Sequence, residues 1–436
     1  MTDLNRRDFA RLFALSGSAA FLPAFPGVKS GQLARELGLA EGPLPRTPAE
    51  PDEKFWKEVR ARFLMPADLA FINAANLCPT SLPVVEALEK NTRFLDGNPS
   101  SASRATLQAS REEARRLVAA FLRVTPEEIV ITRNTSEANN LVSSGLSLGP
   151  NDEVIVFADN HPSNLNAWRE KSKRFGFAIV EVPVVNPHPG PAVYVEAFTK
   201  AITPRTRVIA VTHVTNTIGD MLPVADLCRL AHERGIFALV DGAQSFGVID
   251  VNLAEMRPHF YSGSVHKWPC GPKEMGLLYI AREVQDRIAP SIVSLYGGAV
   301  GISRTHEAFG QRDEAALATL GAAVKFQDEI GRAAIEKRSR ELASHLAAEL
   351  QKVNGVTLWT VPDPARFGAI VVFKPAALDP RRFVTALYEK DRIVCATGGL
   401  PTRPGVRLSP HFYNTMEEMD RTVAAVRKYV SGGLPG

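Results

Sequence analysis

An α/β fold, with a mostly parallel central sheet flanked by helices and a smaller α/β domain at the C-terminal end, is what the sequence predicts, on three observations. Short β-branched runs alternate with helical patterns between residues 129 and 241, and strand, helix, strand repetition makes parallel strands with helical crossovers. Beyond residue 315 the rhythm changes to a long helical pattern, two strand-like pieces and a final helix, the outline of a second unit. The 436 residues leave room for two or three domains of roughly 150 each.

Composition narrows the function classes. Hydrophobic residues make up 45%, charged residues 22%, and Gly and Pro 31 each, near the globular average and unlike disordered, collagenous or multi-spanning membrane chains. The 51 Lys and Arg exceed the 47 Asp and Glu by only +4. That excess is too small and too dispersed for a nucleic-acid footprint, so no nucleic-acid partner is expected and small-molecule chemistry is.

In chain order, Asn5-Arg6-Arg7-Asp8-Phe9-Ala10-Arg11 sets paired arginines before an apolar stretch, Leu12 to Phe25, interrupted by Ser16, Gly17 and Ser18. This is the layout of a twin-arginine export signal, with the translocation machinery as partner and the periplasm or exterior as destination. The stretch is shorter than the roughly 18 residues of a bilayer-crossing helix, so no stable membrane insertion is expected. The competing reading is a basic amphipathic tail on a cytosolic enzyme. Residues 27–54, rich in Gly, Pro and charge, read as a linker or arm.

The globular part begins near Phe55, and the large domain runs over 55–315. Its strands are Ile129 to Thr132, Val154 to Phe157, Val208 to Thr212 and Phe237 to Asp241. Helices are predicted at Ser110 to Phe121, where Ala114, Leu117, Val118 and Phe121 share a face, and at Val224 to Arg234, stopped by Gly235. In the small domain, 316–436, the long helical pattern covers Ala316 to Val353, strand-like pieces cover Ala369 to Phe373 and Arg392 to Cys395, and a last helix covers Met416 to Tyr429. Cys78, Cys228, Cys270 and Cys395 lack both C-x-x-C pairing and zinc spacing, so they read as buried free thiols and no metal site is expected.

In an open parallel sheet, ligands bind beyond the carboxyl ends of the strands. After the first strand come Thr135 and Ser136, hydroxyls at the mouth of a helix, where backbone N–H groups favour a phosphate and where an ordinary N-cap is the competing reading. After the second comes His161, after the third Asn216, and after the fourth Asp241 and Gln244. A carboxylate ending a buried strand needs a cationic partner or several hydrogen bonds, and a ligand or a lysine is the partner expected here. Lys267 follows in Ser264-Val265-His266-Lys267-Trp268, an aromatic, glycine-lined segment able to desolvate an amine and make it nucleophilic. Lys273, after Pro272, is its rival. Asp after one strand and Lys after the next match the known mark of a pyridoxal-phosphate site, a Schiff-base lysine with an acidic partner for the pyridinium nitrogen.

These motifs, in this order, resemble the class V aminotransferase family of fold type I pyridoxal-phosphate enzymes, which includes cysteine desulfurases, selenocysteine lyases and isopenicillin N epimerases. The resemblance runs from Phe71-Ile72-Asn73-Ala74-Ala75 to Tyr429, and His266-Lys267-Trp268 with Pro272-Lys273 is most like the isopenicillin N epimerase-like branch. It implies that Lys267 carries the cofactor and shuttles the proton at Cα, that Asp241 holds the ring nitrogen protonated, and that His161 stacks on the ring. Asn216 and Gln244 are then placed at the ring hydroxyl, and Thr135, Ser136, Ser264 and His266 at the phosphate. Arg407, in Gly405-Val406-Arg407-Leu408-Ser409, is implied as the grip on the substrate carboxylate, with Asn73 beside it.

The resemblance also implies a homodimer and an amino-acid-type substrate. Two departures stand out. The segment Ala396-Thr397-Gly398-Gly399-Leu400-Pro401-Thr402 lacks the nucleophilic cysteine of desulfurases, Cys395 lying just ahead, which makes sulfur mobilisation the lesser alternative. Gly310-Gln311-Arg312-Asp313 stands where relatives reach across the dimer to the neighbouring phosphate, a contact Gln311 replaces only in part. Epimerisation, transamination, elimination, decarboxylation and oxidation all remain open after a shared Cα deprotonation, and a catalytically silent binding protein is the alternative of another class.

Overall fold

The computed structural model describes residues 44–363 and 365–435. The export signal predicted over 1–26 and most of the arm lie outside the described residues. Seven strands form the main sheet: β2 (Ile129–Thr132), β3 (Glu153–Phe157), β4 (Ala178–Val182), β5 (Thr206–Thr212), β6 (Phe237–Asp241), β7 (Phe260–Ser264) and β8 (Gly276–Ile280), in the spatial order β2-β8-β7-β6-β5-β3-β4. Pairing is parallel from β4 through β3, β5 and β6 to β7, and antiparallel only on the two sides of β8. The α/β sheet is thus mostly parallel, as the alternation of strand and helix predicts.

The helices are α1 (Glu53–Arg60), α2 (Leu82–Gly97), α3 (Ser101–Leu122), α4 (Thr135–Gly145), α5 (Pro162–Phe175), α6 (Pro191–Ala201), α7 (Val224–Arg234), α8 (Leu253–Met256), α9 (Ser303–His306), α10 (Glu314–Ile330), α11 (Arg332–Gln351), α12 (Pro380–Asp391) and α13 (Met416–Gly432). A second, four-stranded antiparallel sheet has the order β12 (Ala396–Leu400), β13 (Arg403–Leu408), β10 (Val371–Pro375), β9 (Val356–Leu358). A parallel pair joins β1 (Ala70–Phe71) to β11 (Ile393–Val394), so the start of the described chain is stitched to its end.

Helix α7 forms over the predicted span, with Gly235 closing it at φ +65°, a left-handed position that glycine takes without a Cβ clash. Helix α3 starts nine residues earlier than its apolar face predicts. Ser100 caps it, and its polar first half is held by Arg104, which pairs with Glu314 at 2.5 Å. The long pattern from Ala316 breaks into α10 and α11 at Gly331, φ +94°. Apolar spacing runs through that break because Ile330 and Ile335 both face the core. The hairpin β12–β13 is unforeseen: Gly398, Gly399, Pro401 and Pro404 suppress the strand signal, and cross-strand pairing with β13 supplies the order instead.

Two apolar cores hold these layers. One surrounds the main sheet and includes Ala316, Leu317, Leu320 and Val324 of α10. The other joins Phe55 to Cys78 with α11, β10, β13 and α13, and takes Phe326 and Ile330 from the far end of the same α10. Helix α10 therefore bridges both cores. Among the described residues no helix is long and apolar enough to cross a membrane.

Candidate active site

Strands β2, β3, β5, β6 and β7 point the same way, so their carboxyl ends share one edge. That edge collects Thr135 and Ser136 beyond β2, His161 beyond β3, Asn216 beyond β5, Asp241 at the end of β6, and Ser264, His266 and Lys267 at and beyond β7. The second sheet brings Arg407 on β13 and, through a bridge to Ser409, Asn73 after β1. Only the packing of the two units brings residues 73 and 407 to the same edge.

Asp241 is 2% exposed. Its Oδ2 accepts from Asn139 Nδ2 at 2.8 Å and Asn164 Nδ2 at 3.1 Å, and its Oδ1 accepts from the Ala243 N–H at 3.1 Å. Asn139 is held in turn by Ser262, whose hydroxyl donates to Asn139 Oδ1 at 2.8 Å. The carboxylate is thus satisfied by two amides and a backbone N–H; of the two partners the sequence offers, a ligand or a lysine, no lysine among the described residues hydrogen-bonds it. Asn139 and Asn164 escaped the sequence reading, although Asn139 lies one turn beyond Thr135 on α4 and Asn164 in the first turn beyond His161 on α5. An asparagine in a helix signals nothing until the facing strand is known.

Lys267 lies in a tightly fixed turn. The Cys270 N–H closes on the Lys267 carbonyl at 2.9 Å, and the fully buried Trp268 gives its carbonyl to Gln327 Nε2 at 2.8 Å and to His411 Nε2 at 2.7 Å. Burial lowers the Lys267 amine from 10.5 to about 8, against the pull of Asp241, and Arg407 lowers it further. The rival, Lys273, is committed elsewhere: its amine donates to the Cys78 carbonyl at 2.7 Å and to Thr80 Oγ1 at 3.0 Å.

His161 caps α5, its Nδ1 accepting from the Ser163 N–H at 3.2 Å. Desolvation lowers its pKa, with the charge of Lys267 adding, which favours a neutral ring. Thr135 opens α4: its N–H donates to Ser264 Oγ at 3.0 Å and the two hydroxyls meet at 2.7 Å, with Ser136 half-buried beside them. Hydroxyls grouped at a helix N-terminus make an anion cradle. His266, two residues beyond Ser264, is driven down to about 4 by burial, with Lys267 and Lys273 adding, so its ring is neutral.

Arg407 is 8% exposed. Its Nη1 donates to the Asn216 carbonyl at 2.9 Å and its Nη2 to Asn73 Oδ1 at 3.4 Å, while its buried Nε has no partner. Asn216 therefore serves the arginine through its backbone. Gln244 is tied at both ends, donating from Nε2 to the Ala75 carbonyl at 2.9 Å and accepting from the Trp268 indole at 2.8 Å, which leaves one N–H for a ring hydroxyl. Gln311 lies away from this edge, accepting from Arg104 Nη2 at 3.1 Å. All four cysteines are buried and free.

Among the described residues, His232, His259 and Glu283 approach a metal-ligand set. His259 Nδ1, however, accepts from the Ala238 N–H at 3.0 Å, so its single lone pair is occupied and its Nε2 carries the proton. That grouping makes no metal site.

The residues present fit pyridoxal phosphate: a depressed amine, a braced carboxylate, a hydroxyl cradle at a helix N-terminus and an unpartnered guanidinium N–H converge on one edge. Comparison with known proteins agrees. The family described as aminotransferase class-V matches residues 72–422. An isopenicillin N epimerase of Streptomyces clavuligerus is 30% identical over 388 residues, covering 85% of this chain and 97% of that one. A probable cysteine desulfurase of Methanothermobacter thermautotrophicus is 30% identical over 389 residues, covering 83% and 95%. The solved apo structure of a cysteine desulfurase from Thermococcus onnurineus superposes with a TM-score of 0.77 at 25% identity, covering 90% of this chain and all of that one (100%). The chain belongs to the class V aminotransferase family and is a pyridoxal-phosphate-dependent enzyme.

Proposed function

We propose that the enzyme acts at Cα of an amino acid or an amino-acid-bearing metabolite, with Lys267 moving the Cα proton. The observation that carries this reading is the convergence of Lys267, Asp241 and Arg407 on one edge of the main sheet, where the charges of Asp241 and Arg407 both act on the Lys267 amine. When bound, pyridoxal phosphate supplies an electron sink for negative charge developing at Cα. Arg407 offers its free Nε–H, together with Nη2, to the substrate carboxylate as two parallel donors, which orients Cα toward Lys267. With its pKa near 8, the Lys267 amine is neutral in useful amount at neutral pH and still basic enough to take a proton. Asp241, immobilised by Asn139 and Asn164, would hold the ring nitrogen of the cofactor without reorganising.

Epimerase-type chemistry at Cα is favoured over sulfur mobilisation. Cys395, the cysteine nearest the desulfurase loop in sequence, is buried, and burial pushes its thiol up to about 12, which keeps it from acting as a thiolate. The test is a screen of amino acids and small peptides with the loaded enzyme, with mass spectrometry and chiral analysis of the products. Solvent deuterium entering Cα is the expected result, and release of sulfide from cysteine without such exchange refutes it.

We also infer export by the twin-arginine route, which carries folded, cofactor-loaded proteins, from Arg6 and Arg7 ahead of the apolar stretch. Equal cytosolic retention of wild type and an Arg6→Lys/Arg7→Lys form in cell fractionation refutes it. Pairing into a homodimer is supported by an exposed apolar run in which Val293 is 86% and Leu295 95% accessible. Light scattering that returns the monomer mass refutes the pairing.

A further inference from the structure

Beside the Arg407 hairpin lies a cavity of about 590 Å³, between the first turns of α5 and α12 and the β12–β13 tip. It shares a wall with the site already described. Gly398 lies against the Arg407 side chain, and the Gly399 N–H donates to the Thr217 carbonyl at 2.8 Å, one residue from the carbonyl that holds Arg407. Pro162, Leu165, Leu400 and Pro401 supply apolar walls that would cover methylene groups.

The charge lining this cavity is unusual. Asp159, 7% exposed, lines the cavity and receives hydrogen bonds from the Thr217 and Thr215 hydroxyls. Behind it stands Asp220, 1% exposed, both of whose carboxylate oxygens are buried without a hydrogen-bond partner. Among the described residues neither carboxylate is ion-paired with a lysine or arginine, and the charge of Asp159 bears on Asp220. Burying carboxylates without a cation is costly, and a site that keeps two of them in a cleft is arranged for a ligand that brings the opposite charge. At the rim, Arg169 is already spent on Glu181 at 2.6 Å, and Asp379 and Arg381 bring opposite charges to the outer wall.

We propose that this cavity takes the cationic end of the substrate's side chain, with Asp159 as its direct partner and Asp220 adding charge behind it, so that the substrate is a basic amino acid. This rests on the reading of the neighbouring site as one that acts at Cα. Asp159 is two residues from His161, which places their Cα atoms within about 7 Å at the reach of roughly 3.3–3.6 Å per residue. A chain of three or four methylenes ending in an ammonium covers such a span while its stem lies along Pro162 and Leu165.

The test uses the full, cofactor-loaded chain. Visible spectra are titrated with L-lysine, L-ornithine, L-norleucine and L-2-aminoadipate, and melting temperature is followed against 1,4-diaminobutane. Lysine or ornithine is expected to act at a concentration at least about tenfold below norleucine, with aminoadipate weakest. Asp159→Asn keeps an acceptor for Thr217, so it should erase the preference and the stabilisation by diamine while leaving norleucine unchanged. Asp220→Asn should weaken both effects in the same direction.

Equal responses to lysine and norleucine in wild type, or an undiminished preference in Asp159→Asn, overturn the proposal without any reliance on the deeper variant. If no amino acid changes the spectrum while diamine still stabilises only the wild type, the Cα reading falls and the cavity's preference for a cation stands.

Discussion

Adding one methyl group at Gly398 tests the proposed substrate anchor without touching its charge. A Cβ built at Gly398 falls 2.6 Å from Arg407 Cβ, 3.3 Å from its Cγ and 3.4 Å from its Cδ. Ordinary carbon contacts need about 3.5–4.0 Å, so the Gly398→Ala variant must displace the Arg407 stem by roughly 1 Å. Overpacking of this kind costs about 1–3 kcal/mol, and if the strain relaxes by moving the guanidinium, amino-acid affinity falls by about 5–150-fold. The cofactor cradle of Thr135 and Ser264 lies on the other sheet, so cofactor retention should not change. The assay is amino-acid titration of the loaded enzyme, read by the cofactor's visible spectrum, in wild type, Gly398→Ala, Arg407→Ala and the double variant. Because Gly398 is argued to act only through Arg407, the methyl group should cost nothing further once Arg407 is gone. An equal penalty in both backgrounds refutes the reasoning, as does a loss of cofactor in Gly398→Ala alone.

Other measurements probe the buried charges. In the cofactor-free protein the folded state holds the Lys267 amine near 8 against 10.5 unfolded. Through that window the unfolded chain carries the extra proton, so stability rises with pH. Lys267→Met should therefore be the more stable protein in urea melts at pH 7, with its advantage closing by about pH 10, and a constant difference refutes the assignment. Asp220 is raised from 3.8 to about 7 by burial, with Asp159 adding, so its cost is full above pH 7 and fades toward pH 4. The stability of Asp220→Asn relative to wild type should accordingly fall as the pH is lowered through that range, as read by thermal melts without diamine. His213 is driven down to about 4 and His411 to about 3 by burial, so stability should drop as pH falls below 6.5, and His213→Gln should flatten the slope by one proton. Asn139→Ala removes a hydrogen bond to a buried carboxylate and strands the Ser262 hydroxyl. It should cost about 1.5–3 kcal/mol in chemical unfolding, and a loss below 0.5 kcal/mol, roughly the level of a neutral surface change, counts against the brace.

The order of strand and helix, the stop of α7 at Gly235 and the chemical types after each strand were legible in the sequence because they rest on local physics. A period of apolar residues, a glycine at positive φ and an acid or lysine at the end of a strand state their constraints within a few positions. Lys267 and Asp241 stood out for that reason and Arg407 through the resemblance of its segment to the family's, and the structure brings Asp241 and Arg407 close enough for their charges to act on the Lys267 amine.

Other features answer to distance in space and had no local signature. Asn139 and Asn164 brace Asp241 only because α4 and α5 converge on the end of β6. The Gly398–Gly399 hairpin pairs only because β13 is already anchored to β10, and α10 breaks from α11 at a glycine that apolar spacing runs straight through. Asp159 and Asp220 lie 61 positions apart in sequence, and no composition or period marks them as one unpaired charge. The residue types capable of the chemistry were written in the chain. Which carboxylates are braced, which are left uncompensated and which side of Arg407 is free were settled by tertiary packing, because desolvation and hydrogen-bond satisfaction depend on the neighbours a group acquires on folding.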